Sequence, residues 1–80
     1  MVHSMWGAQP GRALLVMRRL SVSKVARMAG VSRRSLDRAL AGQRRPHPDM
    51  AEKVARALQV DKLELFDSNV LEGWHTRRPL

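Results

Sequence analysis

The chain has 80 residues, no cysteine and a formal net charge of +8. A chain of this length forms one domain at most, and it buries only about 60–65% of the surface of its unfolded state. The lack of cysteine excludes disulfide bonds, thiolate metal ligands and a cysteine nucleophile. No apolar run reaches the roughly 18 residues that a membrane-spanning helix needs, so we expect a cytoplasmic protein.

The positive charge is concentrated in the first half of the chain. Residues 1–45 contain ten Lys or Arg residues and one acid, whereas residues 46–72 contain three cations and six acids. Residues 73–80 add two arginines. A basic front half joined to an acidic back half suggests a face that binds a polyanion, with nucleic acid as the expected partner. The alternatives on composition alone are a basic face with no specific partner and a face that binds a membrane surface.

The apolar spacing predicts five helices and no strand. The first nine residues show no periodicity, which predicts a flexible N-terminal segment over residues 1–9. Pro10 suits the first turn of a helix that continues to about Arg19. The residues of this first helix that we expect to turn inward are Leu14, Met17 and Leu20.

Two short helices are predicted to meet at Gly30, within residues 22–41. Ser21 is placed to cap the first of them, and Gly30 ends it in the left-handed conformation that costs glycine little. Ser32 caps the next helix, which Gly42 ends in the same way. The inward residues of the pair are Val25, Ala26, Ala29, Val31, Leu36, Ala39 and Leu40. A small residue and a left-handed corner at this spacing predict a helix-turn-helix.

Two further helices are predicted after a basic loop. Pro48 opens a fourth helix that runs to about Gln59, and His47 precedes or caps it. The inward residues of this helix are Ala51, Val54, Ala55 and Leu58. Asp61 caps a short fifth helix, which we expect to bury Leu63, Leu65 and Phe66. These boundaries predict one domain over residues 10–67.

The C-terminal tail, residues 68–80, has three possible interpretations. Its apolar residues are Val70, Leu71 and Trp74. They are consistent with a strand or helix that forms a dimer, with a segment folded back over the core, or with a mostly disordered extension. Val70, Leu71 and Trp74 are therefore the candidate dimer contacts.

Burial of the inward residues of the third helix leaves Arg33, Arg34, Asp37 and Arg38 facing outward together. A guanidinium matches O6 and N7 of guanine in the major groove, and it matches a backbone phosphate equally well. These four residues are the candidates for base readout. Arg33 and Asp37 also have the spacing of a simple ion pair on a helix surface, worth about 0.3–0.5 kcal/mol.

Residues of about 12–66 resemble the Cro/repressor-type helix-turn-helix proteins, also called the XRE family. The resemblance is carried by alanine at the fifth place of the motif and glycine at the ninth, Ala26 and Gly30. It continues through Gly42, Pro46, Val54-Ala55, Ala57-Leu58, Val60 and Leu65-Phe66. The resemblance implies an all-α, five-helix lambda-repressor-like bundle with a short C-terminal extension, whose second and third helices form the helix-turn-helix.

The same resemblance implies a small Cro-like repressor, bacterial or phage, that reads duplex DNA with its third helix. Arg33 and Arg34 become the first candidates for base contact, and Asp37 and Arg38 form the next turn of the same face. The expected phosphate contacts are Ser21, Ser23, Lys24, Ser32, Gln43, Arg44 and Arg45. Val22 stands where the family often has a phosphate-binding glutamine.

We expect a homodimer on a pseudo-palindromic operator, without cofactor, metal, small-molecule ligand or membrane partner. The scattered histidines (His3, His47 and His75) and the missing metal and phosphate-loop motifs argue against an enzyme. Two alternatives keep the fold but change the role. One is an antitoxin or phage factor that acts mainly through protein–protein contacts, and the other is an excisionase-like architectural DNA binder.

Overall fold

The computed structural model describes residues 7–68, 70 and 71, and this part of the chain is all-α, with no β-strand. Its helices are α1 (Pro10–Met17), α2 (Val22–Ala29), α3 (Arg33–Leu40) and α4 (Pro48–Leu58), followed by one 3-10 turn, Lys62–Glu64. The all-α prediction is confirmed, but the elements that lie wholly within the described residues include four α-helices and not five. None of these helices is both long and apolar enough to cross a membrane.

One hydrophobic core joins all of these elements. The inward residues predicted for α3 and α4 are buried, and so are Val25 and Ala26 of α2, whereas Ala29 and Val31 are half-buried against the same core. Leu65 and Phe66 are fully buried, as predicted. Burial of each large side chain contributes about 1.5–3 kcal/mol, so this core is the main source of stability.

The inward face of α1 differs from the prediction. Met17 is 79% exposed, whereas Leu15 is buried and Leu14 is half-buried. The helix ends at Met17 because Arg19 adopts a left-handed conformation, with φ of 57°. Leu20 therefore lies beyond the end of α1, and its side chain packs against the core from the turn that follows the helix. Its N–H donates to the carbonyl oxygen of Leu15 at 2.9 Å. A continuous helical spacing from Leu14 to Leu20 was the wrong interpretation.

Each of the four helices is followed by a residue with positive φ. These residues are Arg19, Gly30, Gly42 and Gln59. In each case the next N–H donates to the carbonyl five residues earlier, which is the Schellman arrangement (Leu20 to Leu15, Val31 to Ala26, Gln43 to Arg38, and Val60 to Ala55). The predicted glycine stops are confirmed, and Arg19 and Gln59 adopt the same conformation at a cost of about 1–2 kcal/mol.

The short fifth helix predicted after Asp61 is only a 3-10 turn, Lys62–Glu64. Asp61 caps it as predicted, with Oδ1 accepting the N–H of Leu63 at 2.9 Å. Leu63 was predicted to be buried, but it is 57% exposed. The turn does not continue as an α-helix because the N–H of Asp67 donates to Oε1 of Gln9 (2.8 Å) and not to the carbonyl of Leu63.

The start of the C-terminal tail packs on its own domain. Val70 is 1% exposed, and Leu71 is half-buried against the core. At these two residues the tail is a segment folded over the core. Val70 is therefore not available as a dimer contact, which corrects its place among the candidates. Trp74 and the predictions for residues 72–80 lie outside the described residues, as do residues 1–6 of the N-terminal segment.

Candidate nucleic-acid interface

The corner between α2 and α3 has the conformation that a helix-turn-helix requires. Gly30 has φ of 71° and ψ of 37°, and a Cβ atom there would meet nothing within 4 Å. The corner therefore needs glycine for its backbone conformation and not for space. Ala26 and Leu36 are buried on the two sides of the corner, at 3% and 0% exposure. Backbone conformation and packing together fix how α3 lies against α2.

Both predicted serine caps are confirmed. Oγ of Ser21 accepts the N–H of Lys24 at 3.0 Å, and Oγ of Ser32 accepts the N–H of Ser35 at 3.3 Å. A serine hydroxyl that accepts a hydrogen bond still has its own proton to donate. The first turns of α2 and α3 therefore combine the positive end of a helix dipole with a hydroxyl donor, which favours an anion such as a phosphate.

Three arginines of α3 face the solvent. Arg33, Arg34 and Arg38 are exposed, and Asp37 beside them is half-buried. No ion pair among the described residues includes any of the four, so the surface pair between Arg33 and Asp37 is not formed. Arg34 and Arg38 lie on the side of α3 opposite its buried residues, and Arg33 is exposed at the first residue of the helix.

The cations of α4 and of the following turn are neutralised locally. Lys53 lies 3.2 Å from Asp49, and Glu52 lies 3.5 Å from Arg56 and 3.3 Å from Lys62. Such exposed pairs add little stability. They do cancel positive charge on this side of the domain, so the positive potential comes from the elements before Pro48, namely α1, α2, α3 and the loop after α3.

A cleft of about 470 Å³ opens beside the first turn of α3. Its lining residues are Val31, Ser32, Ser35, Arg44, Arg45, Pro46, His47 and Met50. The cleft brings together three of the predicted phosphate contacts, Ser32, Arg44 and Arg45. Ser35 and His47 also line it, although neither is among the phosphate contacts predicted from the sequence. Basic and hydroxyl groups above an apolar floor are chemically suited to a sugar and its phosphate.

The other predicted phosphate contacts do not line this cleft. Ser21, Ser23 and Lys24 are exposed at the first turn of α2, and Gln43 is exposed just after α3. Val22 is half-buried against the core. An apolar side chain in that position makes no hydrogen bond, so contacts at this end of α2 depend on its serines and lysine.

His47 caps α4. Its Nδ1 accepts the N–H of Asp49 at 3.1 Å. With Nδ1 acting as an acceptor, the ring proton of a neutral imidazole lies on Nε2. The same side chain therefore holds the first turn of α4 through Nδ1 and also lines the cleft beside α3.

We expect His47→Ala to lower the free energy of unfolding by about 1 kcal/mol, because the first turn of α4 loses its cap. His47→Ser should restore the lost stability, since a serine hydroxyl caps a helix at least as well. Urea unfolding followed by circular dichroism measures both variants. Equal stability of wild type, His47→Ala and His47→Ser would contradict the capping role.

The fold and this surface define a class of protein. An all-α domain that presents exposed arginines on the second helix of a helix-turn-helix is a DNA-binding module. A family model described as "Helix-turn-helix" matches residues 12–65, which is more than half of the chain. The chain therefore belongs to the Cro/repressor-type, or XRE, family of helix-turn-helix proteins. A comparison with curated proteins and one with solved structures each found no match.

Proposed function

We propose that this protein is a sequence-specific regulator of transcription, a small Cro-like repressor that reads the major groove of duplex DNA with α3. The proposal is carried by the exposure of Arg33, Arg34 and Arg38 on α3, where Arg34 and Arg38 lie on the side opposite the buried residues. Arginine bonds guanine O6 and N7 in a bidentate manner, and this is the commonest specific contact in the major groove. Repression follows from occupation of a promoter or operator, without a cofactor, a metal or an enzymatic step.

Two groups of residues are proposed to hold the phosphates while α3 contacts the bases. One group is Ser32, Arg44 and Arg45 at the cleft, and the other is Ser21, Ser23 and Lys24 at the first turn of α2. Contacts to phosphates fix the register of a protein on the duplex, and contacts to base edges give the sequence preference. Gln43, exposed at the end of α3, is proposed as a further backbone contact.

We also propose that two copies bind a pseudo-palindromic operator in the cytoplasm, at the nucleoid. In such dimers the half-sites lie about one helical turn apart, roughly 34–36 Å. Leu71 and Trp74 are kept as the proposed dimer contacts, whereas Val70 is excluded by its burial. Sedimentation velocity of the wild type at micromolar concentration tests the proposed dimer. A purely monomeric mass both with and without DNA would contradict it.

Selection of bound sites from random duplex DNA tests the function as a whole. We expect a pseudo-palindromic motif, bound with an affinity that falls steeply with salt. The slope of log K against log salt is near −0.9 for each phosphate neutralised by a cation, so Lys24, Arg44 and Arg45 in each of two protomers give a slope of about −5. No enrichment of any sequence, together with a shallow slope, would overturn the proposal. Salt-independent binding of a protein partner would then favour the antitoxin alternative.

A further inference from the structure

Gln9 joins three parts of the fold that are far apart in the sequence. It is 2% exposed, and among the described residues it is the one polar or charged residue that is buried. Its main-chain N–H donates to the carbonyl of Leu40 at 2.8 Å, and its Oε1 accepts the N–H of Asp67 at 2.8 Å. Its Nε2 donates to the carbonyl of Gly7 at 3.0 Å. A buried polar group with its partners in place favours one arrangement of the elements that it joins.

One of these bonds completes the end of α3. The last four carbonyls of a helix have no partner within the helix itself. In α3 the carbonyls of Asp37, Arg38 and Ala39 accept N–H groups from the three residues that follow the helix. The carbonyl of Leu40 accepts instead from Gln9, 31 positions earlier in the chain. The C-terminal end of α3 is therefore closed by the N-terminal segment.

Two glycines allow this segment to lie directly against α3. A Cβ atom at Gly42 would overlap the main chain of Gly7. A Cβ atom at Gly11 would lie 2.7 Å from Cδ2 of Leu40 and 2.9 Å from the carbonyl oxygen of Leu65. The atoms that these added Cβ groups would meet in Gly7 and at the carbonyl of Leu65 belong to the main chain, so no side-chain rotation relieves the contacts. A displacement of the N-terminal segment and a displacement of the end of α3 are therefore coupled.

We infer that Gln9 is a positioning residue for α3, acting through Leu40 and without touching DNA. The corner at Gly30 holds one end of α3, and the junction of Gln9 with Leu40 and Asp67 holds the other. Without the side-chain bonds of Gln9, the C-terminal end of α3 has more freedom. Arg38, near that end, then loses its fixed position relative to the bases. The inference rests on the proposed function, because its consequence is a change in base readout.

The test is Gln9→Met, which keeps the length of the side chain and the main-chain N–H but removes both side-chain hydrogen bonds. We expect the ratio of affinities for the selected duplex and for random duplex to fall about tenfold, a size typical of residues that modulate a binding site without touching the ligand. The salt slope should stay the same, because the phosphate contacts are retained. Val60→Ala is the matched control, since it removes part of a half-buried core side chain outside the Gln9 junction.

Two results of the binding experiment would overturn this inference. One is an unchanged affinity ratio in Gln9→Met despite a loss of stability, and the other is an equal fall of the ratio in Val60→Ala. Amide chemical shifts of the free protein separate this inference from the proposed function. If the wild type shows no preference for any duplex, the proposed function is wrong. The amide chemical shifts alone then test whether Gln9 positions α3. Shifts in Gln9→Met that reach Arg34 and Arg38 support positioning, whereas shifts confined to Gly7 and Asp67 contradict it.

Discussion

Gly42→Ala is expected to lower the free energy of unfolding by about 2–5 kcal/mol, from two separate costs. Gly42 has φ of 78°, and a residue with a Cβ pays about 1–2 kcal/mol in the left-handed region. The added methyl group would also overlap the main chain of Gly7. Backbone atoms in a packed segment move only together with their neighbours, so the second cost is at least as large as the first.

Gly30→Ala is the matched control for this experiment. Gly30 has nearly the same conformation, with φ of 71°, but its Cβ would meet nothing within 4 Å. This variant should lose only about 1–2 kcal/mol, the conformational cost alone. Urea unfolding of both variants under one set of conditions gives the difference. Equal losses would mean that the close approach of Gly7 to Gly42 contributes nothing to stability.

The helix-turn-helix was predictable because each of its signals is local. Ser21 and Ser32 lie three residues before the N–H groups that they cap, and Gly30 determines the corner by its own backbone. The apolar spacing of α3 also identifies its outward face, since the residues that are not buried must face the solvent. The candidates Arg33, Arg34 and Arg38 were found in this way, and their exposure agrees with the prediction.

Contacts between distant parts of the chain were not predictable in this way. In the sequence, Gln9 is a polar residue before a proline, and nothing near it indicates partners at Leu40 and Asp67. Arg18 is a similar case, because its Nη1 donates to the carbonyl of Leu58 at the end of α4. One missed contact had a further consequence. The bond from Asp67 to Gln9 ends the turn that was predicted as a fifth helix.

The cleft beside α3 was predictable only in part. Arg44 and Arg45 were expected to contact phosphates because they form a basic loop after the third helix. The loop folds back so that they lie near Ser32 and Ser35, at the opposite end of α3 from the point where the loop begins. His47 joins them because it caps α4 at the end of the same loop. Its position thus depends on tertiary folding, although its capping role was foreseen.

Arg34→Ala is expected to weaken binding of the selected duplex by about 1–3 kcal/mol and to relax the base preference at one position. Arg34 is exposed in the first turns of α3, and no described residue forms an ion pair with it. The lost contact is therefore one with DNA and not one within the protein. Fluorescence anisotropy with the selected duplex and with its single-base variants measures the change at each position.

Two further variants separate base readout from charge. Arg34→Lys keeps the charge but loses the planar fork, so it should retain affinity for random duplex and still lose affinity for the selected one. Arg44→Ala, in the proposed phosphate cleft, should weaken binding of all sequences alike and reduce the salt slope by about two, since one contact is lost in each of the two protomers. If Arg34 contacts a base, the affinity loss in its variants must depend on the sequence of the duplex, whereas the loss in Arg44→Ala must not. If Arg34→Ala lowered the affinities for selected and random duplex by the same factor, Arg34 would be a phosphate contact, and the sequence preference would have to come from its neighbours on α3.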